Sequence, residues 1–158
     1  MTALGRFPHG GSGSINAPEV IRAMDDAGIT YAAGRVLGTL SGGERRRAFL
    51  ARALAQETPL LLLDEPEAAL DAAAKNELLR TLKKLGDSRK LQVIMAVHDL
   101  DFALGTAEYI CGIKAGAVLF SGTPDKVITP GNIRELYGIS ASVFHDQNHR
   151  LRMLPEYR

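Results

Sequence analysis

The sequence predicts an α/β chain, with a mostly parallel sheet and a helical subdomain ahead of it. Three observations carry that expectation. Residues 60–63 form a short, wholly apolar run of leucines, and residues 91–97 form a second run, apolar except for Gln92, that includes β-branched residues. Both have the texture of strands buried on both faces. Between them Ala74, Leu78, Leu82 and Leu85 recur every three or four residues, which is the spacing of one helix face.

Before these runs the chain opens with a Gly/Ser-rich loop at residues 9–14. A helix is predicted over residues 18–27, started by Pro18, and a longer helix begins near Ser41. Residues 1–58 therefore read as a small helical subdomain. In the central helix Asp71 is the predicted N-cap, and Gly86 sits where the helix is expected to end. Strand, helix and strand of this length make a βαβ unit, so the two strands should be parallel neighbours with function at their carboxyl ends. Residues 109–114 and 118–121 flank Ala115-Gly116 and predict a hairpin. That closes a second segment at residue 122. Residues 123–158 form a carboxyl-terminal extension with two short helical pieces after Pro124 and a small strand pair near Val143 and Leu151.

Composition narrows the function classes. At 158 residues, 46% hydrophobic and 23% charged, the chain has the size and makeup of one globular unit. A formal net charge of +1 gives no basic excess for a phosphate backbone, so nucleic acid is not an expected partner. Cys111 is the only cysteine, which excludes an internal disulfide and a cysteine-pair metal site. No apolar run approaches the roughly 18 residues of a membrane span, and residues 1–10 lack a signal pattern. The expectation is a soluble protein of the cytoplasm.

Three motifs carry chemistry. Leu40-Ser41-Gly42-Gly43-Glu44 directly precedes the long helix. A capping box explains Ser41 and Glu44, because the serine hydroxyl takes an N–H three residues on while the glutamate reaches back. It does not explain two glycines in a first turn, each costing about 1 kcal/mol against alanine. Bare amides at the positive end of a helix are what a phosphate needs. The second motif is the strand that ends in Asp64-Glu65-Pro66. Pro66 removes a ladder donor and the chain turns, so both carboxylates can face the crevice above the sheet. There Asp64 suits Mg²⁺ and Glu65 suits the attacking water of a phosphoryl transfer; the plain alternative is a surface acid pair that starts a loop. The third is His98, followed by Asp99, after the second buried strand. It is placed to contact a terminal phosphate or the attacking water, or else is a solvated loop residue. Asp71 serves as a cap, as a contact to a partner subunit, or as both. Arg45, Arg46 and Arg47 fan around the helix and read as a solvated basic face.

Leu-Ser-Gly-Gly-Glu at 40–44, Ala-Arg-Ala-Leu at 51–54, Leu-Leu-Leu-Asp-Glu-Pro at 61–66, Ala-Leu-Asp at 69–71 and Val-His-Asp at 97–99 occur in that order. The series resembles the signature motif, Walker B, D-loop and switch histidine of ABC ATPases. Leu4-Gly5-Arg6-Phe7-Pro8-His9 resembles the stretch beyond the Q-loop in importers of iron-siderophore, haem and cobalamin. Gly122-Thr123-Pro124 and Tyr137-Gly138 resemble their carboxyl-terminal segment. The resemblance implies a partial P-loop NTPase core using ATP and Mg²⁺, with Asp64 at the metal and Glu65 and His98 catalytic. Leu40, Ser41, Gly42, Gly43, Glu44 and Asp71 would contact nucleotide across a head-to-tail dimer with a second ATPase subunit. Transmembrane permease subunits would hold the pair at the inner face of the plasma membrane.

The chain departs from that family pattern in one respect. A Walker A loop ends in Gly-Lys-Ser/Thr, and the first lysine here is Lys75. The glycines of residues 9–14 have no lysine and no buried strand before them. The first strands, the Walker A loop, the adenine-stacking aromatic and the Q-loop glutamine are thus expected to be missing, with the reading frame starting inside the ATPase. Such a chain would supply its signature loop in trans without completing its own nucleotide site. Two rivals remain on this reading. A DNA-repair ATPase of the SMC or RecF kind shares several motifs but would show heptads before the signature, and none is present. A non-catalytic module would pair with a separate Walker A half.

Overall fold

The structure is a computed structural model that describes residues 1–10 and 14–156. The chain divides into two compact units, residues 1–96 and 97–158. Half of the predicted loop at residues 9–14, residues 11–13, lies outside the described residues.

The first unit opens with a 3-10 helical stretch, Thr2–His9, followed by α1 (Pro18–Asp26). Pro18 sits in the first turn of α1, where its missing N–H costs nothing. Val20, Ala23 and Met24 supply a buried i, i+3, i+4 stripe. Gly28 ends the helix in the left-handed region, and the Ile29 N–H closes back onto the Met24 carbonyl at 2.9 Å. Next comes α2 (Gly42–Leu54), which buries Ala48, Leu50, Ala51 and Leu54. The opening stretch lies directly on it: a Cβ added at Gly5 would stand 2.2 Å from the Arg52 carbonyl oxygen, so only glycine permits this approach.

The βαβ unit follows as β1 (Leu60–Asp64), α3 (Ala72–Arg89) and β2 (Gln92–Ala96). The strands pair in parallel, from Leu60 opposite Gln92 to Asp64 opposite Ala96. Leu61, Leu63, Val93 and Met95 pack with Leu78, Leu82 and Leu85 of α3 and with the apolar faces of α1 and α2. The expectation that both faces are buried holds for one face only. Leu61 is 5% exposed, whereas Leu62 is 67% and its register partner Ile94 is 59% exposed. A period of two sends alternate residues to opposite faces, and within this unit only one face is covered. The helix also runs past Gly86 to Arg89, ending on Lys90 at φ 53°. The extra turn brings Arg89 to an ion pair with Asp26.

In the second unit α4 (Leu100–Leu104) leads to two antiparallel hairpins, β3 (Ile110–Lys114) with β4 (Ala117–Gly122) and β5 (Ala141–His145) with β6 (Leu151–Pro155). Between them lie α5 (Pro124–Val127) and α6 (Pro130–Tyr137). Ala115 and Gly116 take positive φ at the first hairpin's turn, as a tight connection of right-twisted strands requires. Leu100, Ala103, Val127, Ile128, Ile133 and Ala141 form this unit's own core. Among the described residues no helix is long and apolar enough to cross a membrane.

Candidate functional site

The start of α2 is built as a full capping box. Ser41 has an extended backbone, its hydroxyl oxygen accepts the Glu44 N–H at 3.2 Å, and Glu44 Oε2 accepts the Ser41 N–H at 2.7 Å. Hydrogen bonds from the Ser41 backbone and then its side chain hold the Glu44 carboxyl below the usual carboxylate range, and Arg35 adds to this. Leu40 is buried and anchors the loop from below, while Ser41, Gly42 and Gly43 are exposed. A Cβ on Gly42 or Gly43 would meet nothing within 4 Å, and neither residue has a positive φ. Among the described residues neither packing nor backbone conformation demands glycine there.

Asp64 closes β1 opposite Ala96, and the Glu65 N–H donates to the Ala96 carbonyl at 2.9 Å. One more bond thus ties the acidic turn to the end of β2. Glu65 then takes φ 44°, a left-handed backbone that costs a non-glycine residue about 1–3 kcal/mol and that gathers at functional sites. The following turns close with the Ala68 N–H on the Glu65 carbonyl and the Leu70 N–H on the Glu67 carbonyl, both at 3.1 Å. Ala69 is left-handed as well, and Glu67 is buried. Asp71 then caps α3, its Oδ1 accepting the Ala74 N–H at 2.8 Å. Asp71→Ala should lower the melting stability by about 1 kcal/mol, whereas Asp71→Asn keeps an accepting oxygen and most of that stability. Chemical denaturation of the two variants separates the cap from any role at a partner.

The structure brings the signature loop and the acidic loop together. Gly43, Arg46, Arg47, Asp64, Glu65 and Glu77 line one cavity of about 390 Å³. A shallower depression adjoins Gly42 and Gly43 to Asp71. Between the two loops lies Arg46, whose guanidinium donates to the Ala68 carbonyl. Arg47 pairs with Glu77 at 3.2 Å and reaches the Tyr31 hydroxyl at 3.4 Å. The expected solvated basic face is therefore two-thirds anchored. Partners that far along the chain leave no local sequence signal.

Asp64 and Glu65 are both exposed at the strand end. Among the described residues no three His, Cys, Asp or Glu side chains gather as a metal cage. A single carboxylate fits Mg²⁺, which binds through one or two carboxylates with phosphate and water completing its shell. His98 follows β2 by two residues and belongs to the second unit, where Asp99 caps α4 by accepting the Phe102 N–H at 3.0 Å. In that unit burial, and then Asp99, raise the Tyr137 hydroxyl above its usual pKa.

Residues 12–68 match the family described as ABC transporter. The chain is 37% identical over 150 residues to the iron(3+)-hydroxamate import ATP-binding protein of Bacillus subtilis (strain 168), covering 92% of this chain and 56% of the relative. It is 39% identical over 148 residues to the cobalamin import ATP-binding protein of Halobacterium salinarum (strain R1), covering 92% of this chain and 37% of the relative. In structure it is similar to a metal-chelate type ABC transporter in an inward-facing conformation, with a TM-score of 0.86 and 25% identity over 99% of this chain and 65% of that one. The chain spans about half the length, or less, of these two curated relatives. With its signature loop, acidic strand end and D-loop on one α/β unit, the chain belongs to the family of ABC transporter ATP-binding domains.

Proposed function

We propose that this chain serves an importer of metal chelates, an iron complex, haem or cobalamin, as part of its ATP-hydrolysing subunit. The observation that carries this is the pair Gly42 and Gly43, exposed, helical and with no contact among the described residues that demands glycine. Their amides and the Ser41 hydroxyl, which accepts from Glu44 but keeps its own hydrogen to donate, suit a phosphate presented by a second ATPase subunit. Asp64 would hold Mg²⁺, which when bound would offset the charge of the phosphates. Glu65 orients and deprotonates the attacking water, and His98 donates to the terminal phosphate. Asp71, beside Gly42 and Gly43, faces the same partner. Names of two relatives and of the structural neighbour support a metal-chelate cargo, and transmembrane permease subunits would hold the ATPase at the inner face of the plasma membrane.

In this reading the chain gives its signature loop to a partner's nucleotide and lacks a lysine cradle of its own, since no Gly-Lys-Ser/Thr stretch occurs in it. Mg-ATP titrated calorimetrically into the chain alone should show no micromolar affinity. Micromolar binding, or turnover that Glu65→Gln abolishes in the isolated chain, would show that it completes a site unaided.

A further inference from the structure

The start of α2 holds an electrostatic conflict. Its unpaired amides and helix dipole favour an anion, yet Glu44 already places a carboxylate in the first turn, competing with a phosphate for the same positive end. Both oxygens of that carboxylate are engaged. Oε2 takes the Ser41 N–H at 2.7 Å, and Oε1 faces Arg35 Nη1 at 3.0 Å. The other arm of the guanidinium, Nη2, donates to the Thr39 carbonyl at 3.1 Å, one residue before Leu40. Arg35 thus spans the turn that leads into the loop and meets its only acid. Arg45 is exposed, Arg46 is spent on the Ala68 carbonyl and Arg47 on Glu77 and Tyr31, so none of the three consecutive arginines bonds to Glu44 among the contacts seen.

We infer that Arg35 is a positioning residue for the signature loop: it cancels the Glu44 charge and latches the preceding turn, leaving the Gly42 and Gly43 amides open to a nucleotide phosphate. The inference rests on the reading of residues 40–44 as a loop that faces nucleotide. Without Arg35 the carboxylate keeps its capping bond but stands uncompensated, a unit of like charge a few ångströms from the incoming phosphate. At this exposed loop, where the dielectric approaches that of water, that repulsion weakens binding about five- to tenfold. A role in folding alone predicts a different pattern, because removing the charge from Glu44 would then not help.

The test uses the full chain with ¹⁵N-labelled glycine, following the Gly42 and Gly43 amides while Mg-ATP is added to tens of millimolar. Wild type should shift these two resonances in a saturable way, with Arg35→Gln raising the apparent Kd about five- to tenfold. The pair Arg35→Gln with Glu44→Gln should return within about twofold of wild type, since glutamine keeps an oxygen for the Ser41 N–H without the charge. Arg35→Lys, which keeps the charge, should stay near wild type and shows that the position tolerates substitution. If wild-type amides do not move, the signature-loop reading falls and the inference with it. If wild type responds but Arg35→Gln binds equally well, only the Arg35 inference falls. Weakening that Glu44→Gln fails to rescue assigns Arg35 a purely structural hold and overturns charge compensation.

Discussion

Glu65→Gln should lower steady-state ATP turnover of the assembled transporter by about a hundredfold or more while nucleotide remains bound. The two side chains are nearly isosteric, and the backbone fixes the position. Its N–H is held by the Ala96 carbonyl and its carbonyl by the Ala68 N–H, so backbone bonds support the left-handed turn at φ 44° in either variant. What the substitution removes is the carboxylate proposed to take a proton from water. Binding contacts to the phosphates come from elsewhere and persist. The expected product is a transporter that retains ATP on rapid filtration and does not release phosphate. Asp64→Asn should differ: it weakens the hold on Mg²⁺, raising the metal concentration needed for half-maximal turnover without trapping ATP. Unchanged turnover in both variants, or loss of nucleotide from Glu65→Gln, would remove the roles assigned to this pair.

Much of this arrangement is legible from local pattern. Pro18 with the Val20, Ala23 and Met24 stripe, Asp71 with its apolar face behind it, and Ala115-Gly116 between two short strands each encode their element within a few residues. Such signals are local, and packing reinforces them. The burial of both strand faces is not encoded in this way, because an apolar run says only that residues avoid water and not which of them a given unit covers. Leu62 and Ile94 show the difference. Gly86 misplaces the end of α3 for a related reason. Leu82 and Leu85 are held in the core and Arg89 is drawn to Asp26, so tertiary contacts carry the helix through a glycine that propensity alone would make its end. The short helix α4 has a readable cap in Asp99, yet its five residues give too few turns for a periodic signal.

The candidate site divides in the same way. Asp64, Glu65 and the Ser41–Glu44 capping box follow from residue type and spacing. Arg35, Arg46 and buried Glu67 gain their significance from partners or surroundings that the fold supplies. Arg46 reaches a carbonyl 22 positions away, and Arg35 reaches an acid nine positions away across a turn. A long side chain on a helix surface has no sequence mark to show which carbonyl it finds. The left-handed backbone at Glu65 was also hidden, since a residue before proline is biased toward extended conformations. Its departure from that bias is a tertiary effect, since the Glu65 N–H and carbonyl are both bonded in the turn.

Ser41→Arg should abolish closure of the ATPase pair on ATP, and with it hydrolysis, while leaving ATP binding by the partner's own site intact. Ser41 is exposed and lies next to two glycines whose side-chain positions are open space. An arginine there fills the approach that a phosphate of the partner's nucleotide would use. The fold loses one cap, the bond from the Glu44 N–H, at about 1 kcal/mol, which is far from enough to unfold a domain. Ser41→Ala supplies the comparison, because it loses the same cap and adds no bulk. Size-exclusion with Mg-ATP reads closure, and phosphate release reads turnover. Occlusion predicts that Ser41→Arg fails in both assays while Ser41→Ala closes and retains substantial turnover. Equal failure of the two would make Ser41 a structural cap alone, and normal closure by Ser41→Arg would remove the start of α2 from the nucleotide interface.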